Sequence, residues 1–139
     1  MDVFENATQF FHNCESAKGW EFCKEYVDDN AIFTSQNQAL SEVNDVKTYV
    51  DWIYNLSTIT MPGCTYKVHA SAFDENKNTA IFFGTFSGTH LGEGGPVPPT
   101  NKSTNTDYVY ALKMNEAGKV EKMTKIWNAP YALRELGWM

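Results

Sequence analysis

The chain has 139 residues, a formal net charge of −6 and 42% hydrophobic residues, so we expect one domain, residues 1–139, with its own core. The acidic balance disfavours binding to the phosphate backbone of nucleic acid. The longest apolar run, residues 108–112, is far shorter than the about 20 residues of a membrane span. The start of the chain lacks a basic and apolar leader, which predicts a cytoplasmic protein with reduced cysteines.

The first part of the chain has the periodicity of helices. An apolar stripe after Asp2 predicts a first helix through Cys14. A second helix is predicted over residues 16–27, where the polar residues that follow would stop it. A third helix is capped by Ser41 or Asn44 and runs to Leu56.

Strands are predicted where apolar residues alternate with polar ones. A short strand at residues 31–35 precedes the third helix, and the second half of the chain predicts four long strands, at 64–73, 79–90, 105–114 and 119–128. The glycine- and proline-rich residues 91–104 form a loop, and Pro130 begins a last short helix. This order predicts an α+β domain with an antiparallel sheet and helices on one face.

Several segments resemble one superfamily. Residues 86–103, FSGTHLGEGGPVPPTNKS, resemble the FxGTHxGE...PPTGK segment of SnoaL-like proteins in the nuclear transport factor two-like superfamily. Residues 118–120, 125–128 and 132–138 are similar to that group's GKI, KIWN and ALRELGW stretches. The resemblance covers essentially the whole chain and implies a cone-shaped fold whose curved sheet wraps a long helix. It also implies an apolar pocket at the wide end and a homodimer.

The resemblance does not carry one activity with it, because this fold hosts isomerases, cyclases, dehydratases, hydrolases and inert binding subunits. In SnoaL-like cyclases a carboxylate near the end of the last strand moves a proton next to a carbonyl. The corresponding residue here is Asn128, whose amide takes no proton at physiological pH. Tyr108 and Tyr110 stand on the strand where those cyclases have a histidine. The chain is similar to a branch that carries KIWN in place of the acid.

His90 and Asp107 are the first candidates for catalysis. If the loop between their strands folds about its prolines, the two side chains come opposite each other, with Cβ atoms about 5 Å apart. A carboxylate there would raise the basicity of the imidazole and make it a general base. The alternative is an ion pair or a hydrogen bond that supports the strand end.

Asn128 is the third candidate, as the group that polarises a bound carbonyl. Trp127 and Asn128 are adjacent on one strand and face opposite sides, so only one of them can line a given cavity. The alternative for Asn128 is to cap the last helix.

Aromatic residues are expected to line either the pocket or the core. A tyrosine hydroxyl inside an apolar pocket could also stabilise a developing enolate. The residues predicted to contact a ligand are Trp20, Tyr26, Phe33, Trp52, Phe82, Tyr108 and Tyr110.

The sequence therefore predicts a pocket for a small, carbonyl-containing, polyketide- or steroid-like molecule. The site would act as an isomerase or cyclase by proton transfer. The alternatives are a non-catalytic binding module for a hydrophobic metabolite and an interaction protein that uses the open sheet face. We expect no cofactor, and no metal because the cysteines and histidines lack zinc-binding spacing.

Overall fold

The computed structural model describes residues 2–139. Met1, the first residue of the start that is predicted to lack a leader, lies outside these residues. Four α-helices accompany a five-stranded sheet. The helices are α1 (Val3–Glu15), α2 (Trp20–Cys23), α3 (Val46–Asn55) and α4 (Ala129–Glu135). The strands are β1 (Val27–Thr34), β2 (Thr65–Asp74), β3 (Thr79–Thr89), β4 (Ser103–Met114) and β5 (Val120–Trp127). Among residues 2–139, no helix combines the length and apolar character needed to span a membrane.

The sheet is mixed, which corrects the prediction of an antiparallel one. Its strand order is β1-β5-β4-β3-β2, and the four long strands pair antiparallel as predicted. The short first strand instead pairs parallel with β5. This pairing is possible because the whole of α3 and three strands separate β1 from β5 in sequence, which leaves ample chain for a crossover. The α+β class itself is confirmed.

The predicted second helix is mostly absent from residues 16–27, so that prediction is wrong. α2 has four residues and continues as a single 3₁₀ turn, Lys24–Tyr26, before β1 begins at Val27. The polar residues that were expected to stop a helix lie inside this edge strand. There the Asp28 carboxylate accepts the backbone N–H of Asn30, at 2.9 Å, and the pairing register shifts before Ile32. Polar residues therefore mark a bulged edge strand here.

Helix α3 starts later than predicted. Its cap is Asp45, whose carboxylate accepts the backbone N–H of Thr48 at 2.8 Å, and not Ser41 or Asn44. The helix continues into a π turn, Leu56–Thr60. Such turns are rare in α-helices and often occur at functional sites. This turn brings Leu56 to the wall of the pocket described below.

The core lies between the helices and the inner face of the sheet. On β4, alternate residues from Thr104 to Met114 are buried, which is the period of a strand with one covered face. Phe11 of α1 stacks on Phe82 of β3 with ring centroids 4.5 Å apart. Phe33 of β1 stacks on Tyr49 of α3 at 4.6 Å. Helices α1 and α3 are therefore fixed against the same sheet face.

The loop after β3 docks on the π turn at the end of α3. The backbone N–H groups of Leu91 and Gly92 both donate to the Thr60 carbonyl, at 3.2 and 2.9 Å. A Cβ atom on Gly92 would lie 1.8 Å from the Ile59 carbonyl oxygen. Glycine is required here because the two backbones touch.

Gly92→Ala should therefore lower the free energy of unfolding by about 1–3 kcal/mol, the usual cost of overpacking a closed contact. The measurement is urea unfolding followed by circular dichroism. Leu91→Ala is the matched control, since Leu91 is 52% exposed and should change stability by about 0.5 kcal/mol or less. Equal stability of the two variants would contradict the argument.

Candidate functional site

An apolar pocket lies between α3, the inner face of the sheet and the C-terminal segment, residues 129–138. It encloses about 470 Å³ of atom-free space including its mouth, of which about 30 Å³ admits the centre of a water molecule. The pocket is thus a narrow slot. Its lining includes Trp52, Ile53, Leu56, Met61, Phe86, Thr104, Thr106, Tyr108, Lys125, Trp127, Ala132, Leu133, Leu136 and Trp138.

Lys125 is the charged side chain in this lining. Its residue is 5% exposed, although lysine is rarely buried unless it has a partner. The ammonium lies near four aromatic rings, with Nζ 4.9 Å from the Trp127 centroid and 5.4 Å from the Trp52 centroid. The rings of Tyr49 and Tyr108 lie at 5.0 and 5.8 Å. Aromatic faces attract a cation at such distances.

A chain of hydrogen bonds leads from Lys125 into the core, and we call Lys125, Tyr49, Tyr110 and Glu15 the buried polar chain. Lys125 Nζ donates to Tyr49 Oη at 2.7 Å, and the Tyr49 and Tyr110 hydroxyls are 3.2 Å apart. The Tyr110 hydroxyl donates to the Glu15 carboxylate. Since this uses the single proton of Tyr110, Tyr49 must donate to Tyr110. All donors therefore point from Lys125 toward Glu15.

Burial shifts both charged ends of this chain toward their neutral forms. It lowers the pKa of the Lys125 amine, and the Glu15 carboxylate opposes part of that shift. Burial likewise raises the pKa of Glu15, against the attraction of Lys125 and the hydrogen bond from Tyr110. The two protonation patterns, an ion pair or an amine with a carboxylic acid, are thus closer in free energy than in water. Proton transfer along the buried polar chain, which reverses the direction of each hydrogen bond in it, converts one pattern into the other.

Glu15 also borders a second, more open cleft that is separate from the apolar pocket. This cleft is formed by the end of α1, the π turn and the start of β2, and its lining includes Ser16, Ser57 and Thr65. The buried polar chain therefore joins two cavities, with Lys125 at the apolar pocket and Glu15 at the polar cleft.

The C-terminal segment forms one wall of the pocket and is held by hydrogen bonds to β4 and to the loop after β3. Glu135 accepts from the Thr104 hydroxyl at 2.7 Å and from the Asn105 backbone N–H at 3.0 Å. The Thr100 hydroxyl donates to the Leu136 carbonyl at 2.7 Å. The Trp138 indole donates to His90 Nδ1 at 2.8 Å. These contacts fix the wall that faces Lys125.

The structure keeps His90 and Asp107 apart, so the predicted pairing is wrong. Asp107 is opposite Thr85 and accepts its hydroxyl at 2.7 Å on the exposed sheet face. The backbone N–H of His90 instead donates to the Lys102 carbonyl, beyond the last β3–β4 pair. The register is continuous over eleven pairs and leaves no slip that could align them. His90 is fully buried against Trp138.

Asn128 lies at the cap of α4, where its side chain accepts the Tyr131 backbone N–H at 3.3 Å. The apolar pocket is lined by Trp127, its neighbour on β5, and not by Asn128. The sequence left two roles open for Asn128, polarising a bound carbonyl and capping the last helix. The hydrogen bond that Asn128 makes is the capping one.

The aromatic residues predicted to contact a ligand divide into three groups. Trp52 and Tyr108 line the apolar pocket. The Tyr110 hydroxyl belongs to the buried polar chain. The remaining four pack in or against the core and are Trp20, Tyr26, Phe33 and Phe82.

Sequence reasoning missed Glu15, Tyr49 and Lys125 as site residues, although patterns for the two charged residues were present. Glu15 follows Ala7 and Phe11 at four-residue steps on the buried side of α1. Lys125 alternates with Met123 and Trp127, the inward-facing residues of β5. A charge on an apolar stripe signals a buried ion. Nothing in either pattern says that the two charges meet.

No protein-family model and no curated protein matches the sequence. Solved structures do match over nearly the full length. AclR, a proposed hydroxylase from Streptomyces galilaeus, has a TM-score of 0.76 at 15% identity and covers 99% of this chain and 96% of its own. IdmH, a proposed polyketide cyclase from Streptomyces antibioticus, has a TM-score of 0.74 at 14% identity and covers 99% of both chains. The chain has the nuclear transport factor two-like fold of the SnoaL-like proteins.

The same fold occurs with other chemistries. An epoxide hydrolase from M. tuberculosis matches with a TM-score of 0.66 at 8% identity, covering 96% of this chain and 88% of its own. Identities this low establish the fold alone, and one fold supports unrelated reactions. The function must therefore be argued from Lys125 and the groups around it.

Removal of the Lys125 amine should make stability strongly dependent on pH. In Lys125→Met, Glu15 loses the charge that lowers its pKa, so its pKa rises further above the unfolded value. A carboxyl with a raised folded pKa stabilises the protein below its unfolded pKa and loses that effect as pH rises through the folded value. The free energy of unfolding should therefore fall as pH rises above the unfolded pKa of a glutamate, by up to about 1.4 kcal/mol per pH unit.

The measurement is urea unfolding at several pH values, with circular dichroism as the signal. Lys122→Met is the matched control, because Lys122 is exposed on the same strand. If the free energy of unfolding has the same pH dependence in Lys125→Met and in the control, the pKa of Glu15 does not depend on Lys125.

Proposed function

We propose that the protein is an isomerase or cyclase, acting without a cofactor, for a small carbonyl compound of polyketide- or steroid-like character. In this proposal Lys125 moves the proton on the carbon next to the carbonyl. The observation that carries it is the position of the Lys125 amine inside an apolar pocket. Enzymes tune a lysine toward neutral pH by burial in this way, so that it can act as a general base.

The reaction begins with the neutral amine. Lys125 Nζ takes the proton from the α carbon, the C–H electron pair forms the C=C bond of an enolate, and the carbonyl electrons move to oxygen. The resulting ammonium is positive beside the negative oxygen, and in an apolar site this attraction is stronger than in water. The ammonium then returns the proton to another carbon, or the enolate carbon attacks a second carbonyl of the same molecule and closes a ring.

Thr106 faces the same pocket and orients the ligand. Thr104 donates its proton to Glu135, so the hydrogen bond between the two threonines uses the proton of Thr106. Both lone pairs of the Thr106 oxygen can therefore accept, which suits a hydroxyl on the ligand. A hydroxylated ring system would gain a hydrogen bond here that a plain hydrocarbon lacks.

His90, Asn128 and Asp107 have other roles in this proposal than the sequence suggested. His90 is a positioning residue, because it holds the Trp138 indole that forms part of the pocket wall. Asn128 positions the same wall by capping α4. Asp107 lies on the outer face of the sheet and is assigned no part in the reaction.

A binding module without catalysis is the second candidate. The observation in its favour is the narrow, mostly apolar slot, which can hold a flat hydrophobic metabolite whatever Lys125 does. The two candidates differ in whether a bound ketone exchanges its α hydrogens.

Proton exchange in deuterated water tests the reaction directly. Small cyclic ketones such as 1-indanone should exchange their α hydrogens for deuterium faster with the protein than with buffer, as followed by proton NMR. Lys125→Met should lower the protein-dependent rate by about 100-fold or more, the usual contribution of a general base. Lys122→Met should leave it unchanged, because Lys122 is outside the pocket.

Saturable quenching of tryptophan fluorescence by the ketone, without exchange above that of Lys125→Met, would favour the binding module. The absence of both saturable binding and exchange would overturn both candidates. His90→Gln should weaken ketone binding by loosening Trp138 while retaining some exchange.

We further propose that the protein is a homodimer in the cytoplasm. The outer sheet face carries an apolar row, Phe83, Val109 and Ile126, whose members are paired neighbours on three adjacent strands. Phe83 is 39% exposed and Ile126 is 62% exposed, and such a patch is typical of an interface. The three cysteines are free, as in proteins of a reducing compartment.

Phe83→Lys should convert the dimer into a monomer, because it places a charge at the centre of a self-complementary interface. Light scattering coupled to size-exclusion chromatography measures the mass. Lys113→Glu, a change on the same face away from the apolar row, is the control. A monomeric unmodified protein would contradict the dimer.

A further inference from the structure

A neutral lysine amine is a nucleophile as well as a base. A carbonyl compound that enters the pocket would contact Lys125. We propose that Lys125 condenses with small planar aldehydes to form an imine, so that the pocket captures them covalently and reversibly. The inference rests on one premise of the proposed function, namely that a ligand in the pocket reaches the Lys125 amine. It does not depend on α-proton transfer, because an aldehyde without an α hydrogen can form an imine too.

The position of Nζ favours this reaction. The Lys125 side chain lines the pocket, and the one side-chain hydrogen bond that its amine makes within residues 2–139 is to Tyr49. Nζ lies 5.4 Å from the Trp52 ring centroid and 4.9 Å from the Trp127 ring centroid, and the two centroids are 6.1 Å apart. An aromatic aldehyde can contact these rings while its carbonyl carbon meets Nζ.

Tyr49 supplies the proton that the condensation requires. The nitrogen lone pair attacks the carbonyl carbon, a C–N bond forms, and the oxygen takes a proton to give a carbinolamine. That hydroxyl then leaves as water once it receives a second proton, and the nitrogen loses its protons as the C=N bond forms. The net change is amine plus aldehyde to imine plus water. The Tyr49 hydroxyl can deliver protons that Tyr110 and Glu15 replace, since all three are hydrogen-bonded in sequence.

Selectivity for Lys125 follows from its surroundings. The other lysines of the chain are exposed, and an exposed lysine is almost entirely protonated near neutral pH, so it is a poor nucleophile. Burial lowers the pKa of the Lys125 amine, which leaves a larger neutral fraction at the same pH. The slot also concentrates flat apolar molecules beside this lysine rather than the others.

The experiment is reductive trapping with benzaldehyde, which has no α hydrogen. The intact protein is incubated with benzaldehyde and cyanoborohydride at about pH 6.5, and the benzylated lysines are quantified by peptide mass spectrometry. We expect Lys125 to be labelled at least about 10-fold faster than exposed Lys67 or Lys113. Benzyl alcohol, with the same ring and no carbonyl, should slow labelling of Lys125 but leave the exposed lysines unaffected.

Two variants separate the chemistry from the packing. Tyr49→Phe keeps the ring that stacks on Phe33 but removes the acid, so labelling of Lys125 should slow by about 10-fold or more. Lys125→Arg keeps the positive charge but removes the amine that reacts. No benzyl group should be found at position 125, while the exposed lysines react as before. Circular dichroism of both variants ensures that only folded protein is compared.

Labelling of Lys125 at the rate of Lys67, or labelling that benzyl alcohol does not slow, would overturn the proposal. If trapping fails in protein that still exchanges the α hydrogens of 1-indanone, the imine is wrong and the proposed function stands. If trapping succeeds where ketone exchange fails, the imine stands and the isomerase is wrong.

Discussion

The burial of one positive charge and one negative charge inside an otherwise apolar core is the constraint on which the site depends. Neither Glu15 nor Lys125 could remain in the interior alone, because an unpaired buried ion is strongly destabilising. Two tyrosine hydroxyls join them, with one hydrogen bond to the Lys125 amine and one to the Glu15 carboxylate. An arrangement of this kind adds little net stability compared with apolar packing. Its presence at the wall of a pocket is thus better explained by chemistry than by folding.

The rest of the fold determines what the lysine can contact. Strand β5 points Lys125 into the pocket, α3 supplies Tyr49 and Trp52, and α1 brings Glu15 from the other side of the core. The C-terminal segment closes the pocket and is fastened through His90 and Glu135. The fully buried His90, the first histidine considered for catalysis, accepts the Trp138 indole N–H in this wall.

The fold itself could be predicted well from the sequence, and the site only in part. The spacing of hydrophobic residues distinguished α1 and α3 from the four long strands. Burial of one face makes hydrophobic residues recur at regular intervals, and these intervals differ between a helix and a strand. Prediction from this spacing failed at residues 16–27, because the polar residues 28–30 that follow mark a bulge in an edge strand rather than a helix end. Trp52 and Tyr108, two of the residues predicted to contact a ligand, line the apolar pocket. His90 and Asp107 were paired wrongly because the register of a hairpin with a long loop depends on contacts outside it.

By itself the sequence determined the α+β class, the order of the elements and which strand faces are apolar, because these properties depend on neighbours in the chain. The resemblance to SnoaL-like proteins agreed with the fold that full-length structural matches show. Only the tertiary structure decided that Glu15, Tyr49, Tyr110 and Lys125 form one hydrogen-bonded chain. These residues lie on four different elements, and their contact, like the pKa shifts that it produces, exists only after the helices pack on the sheet and exclude water.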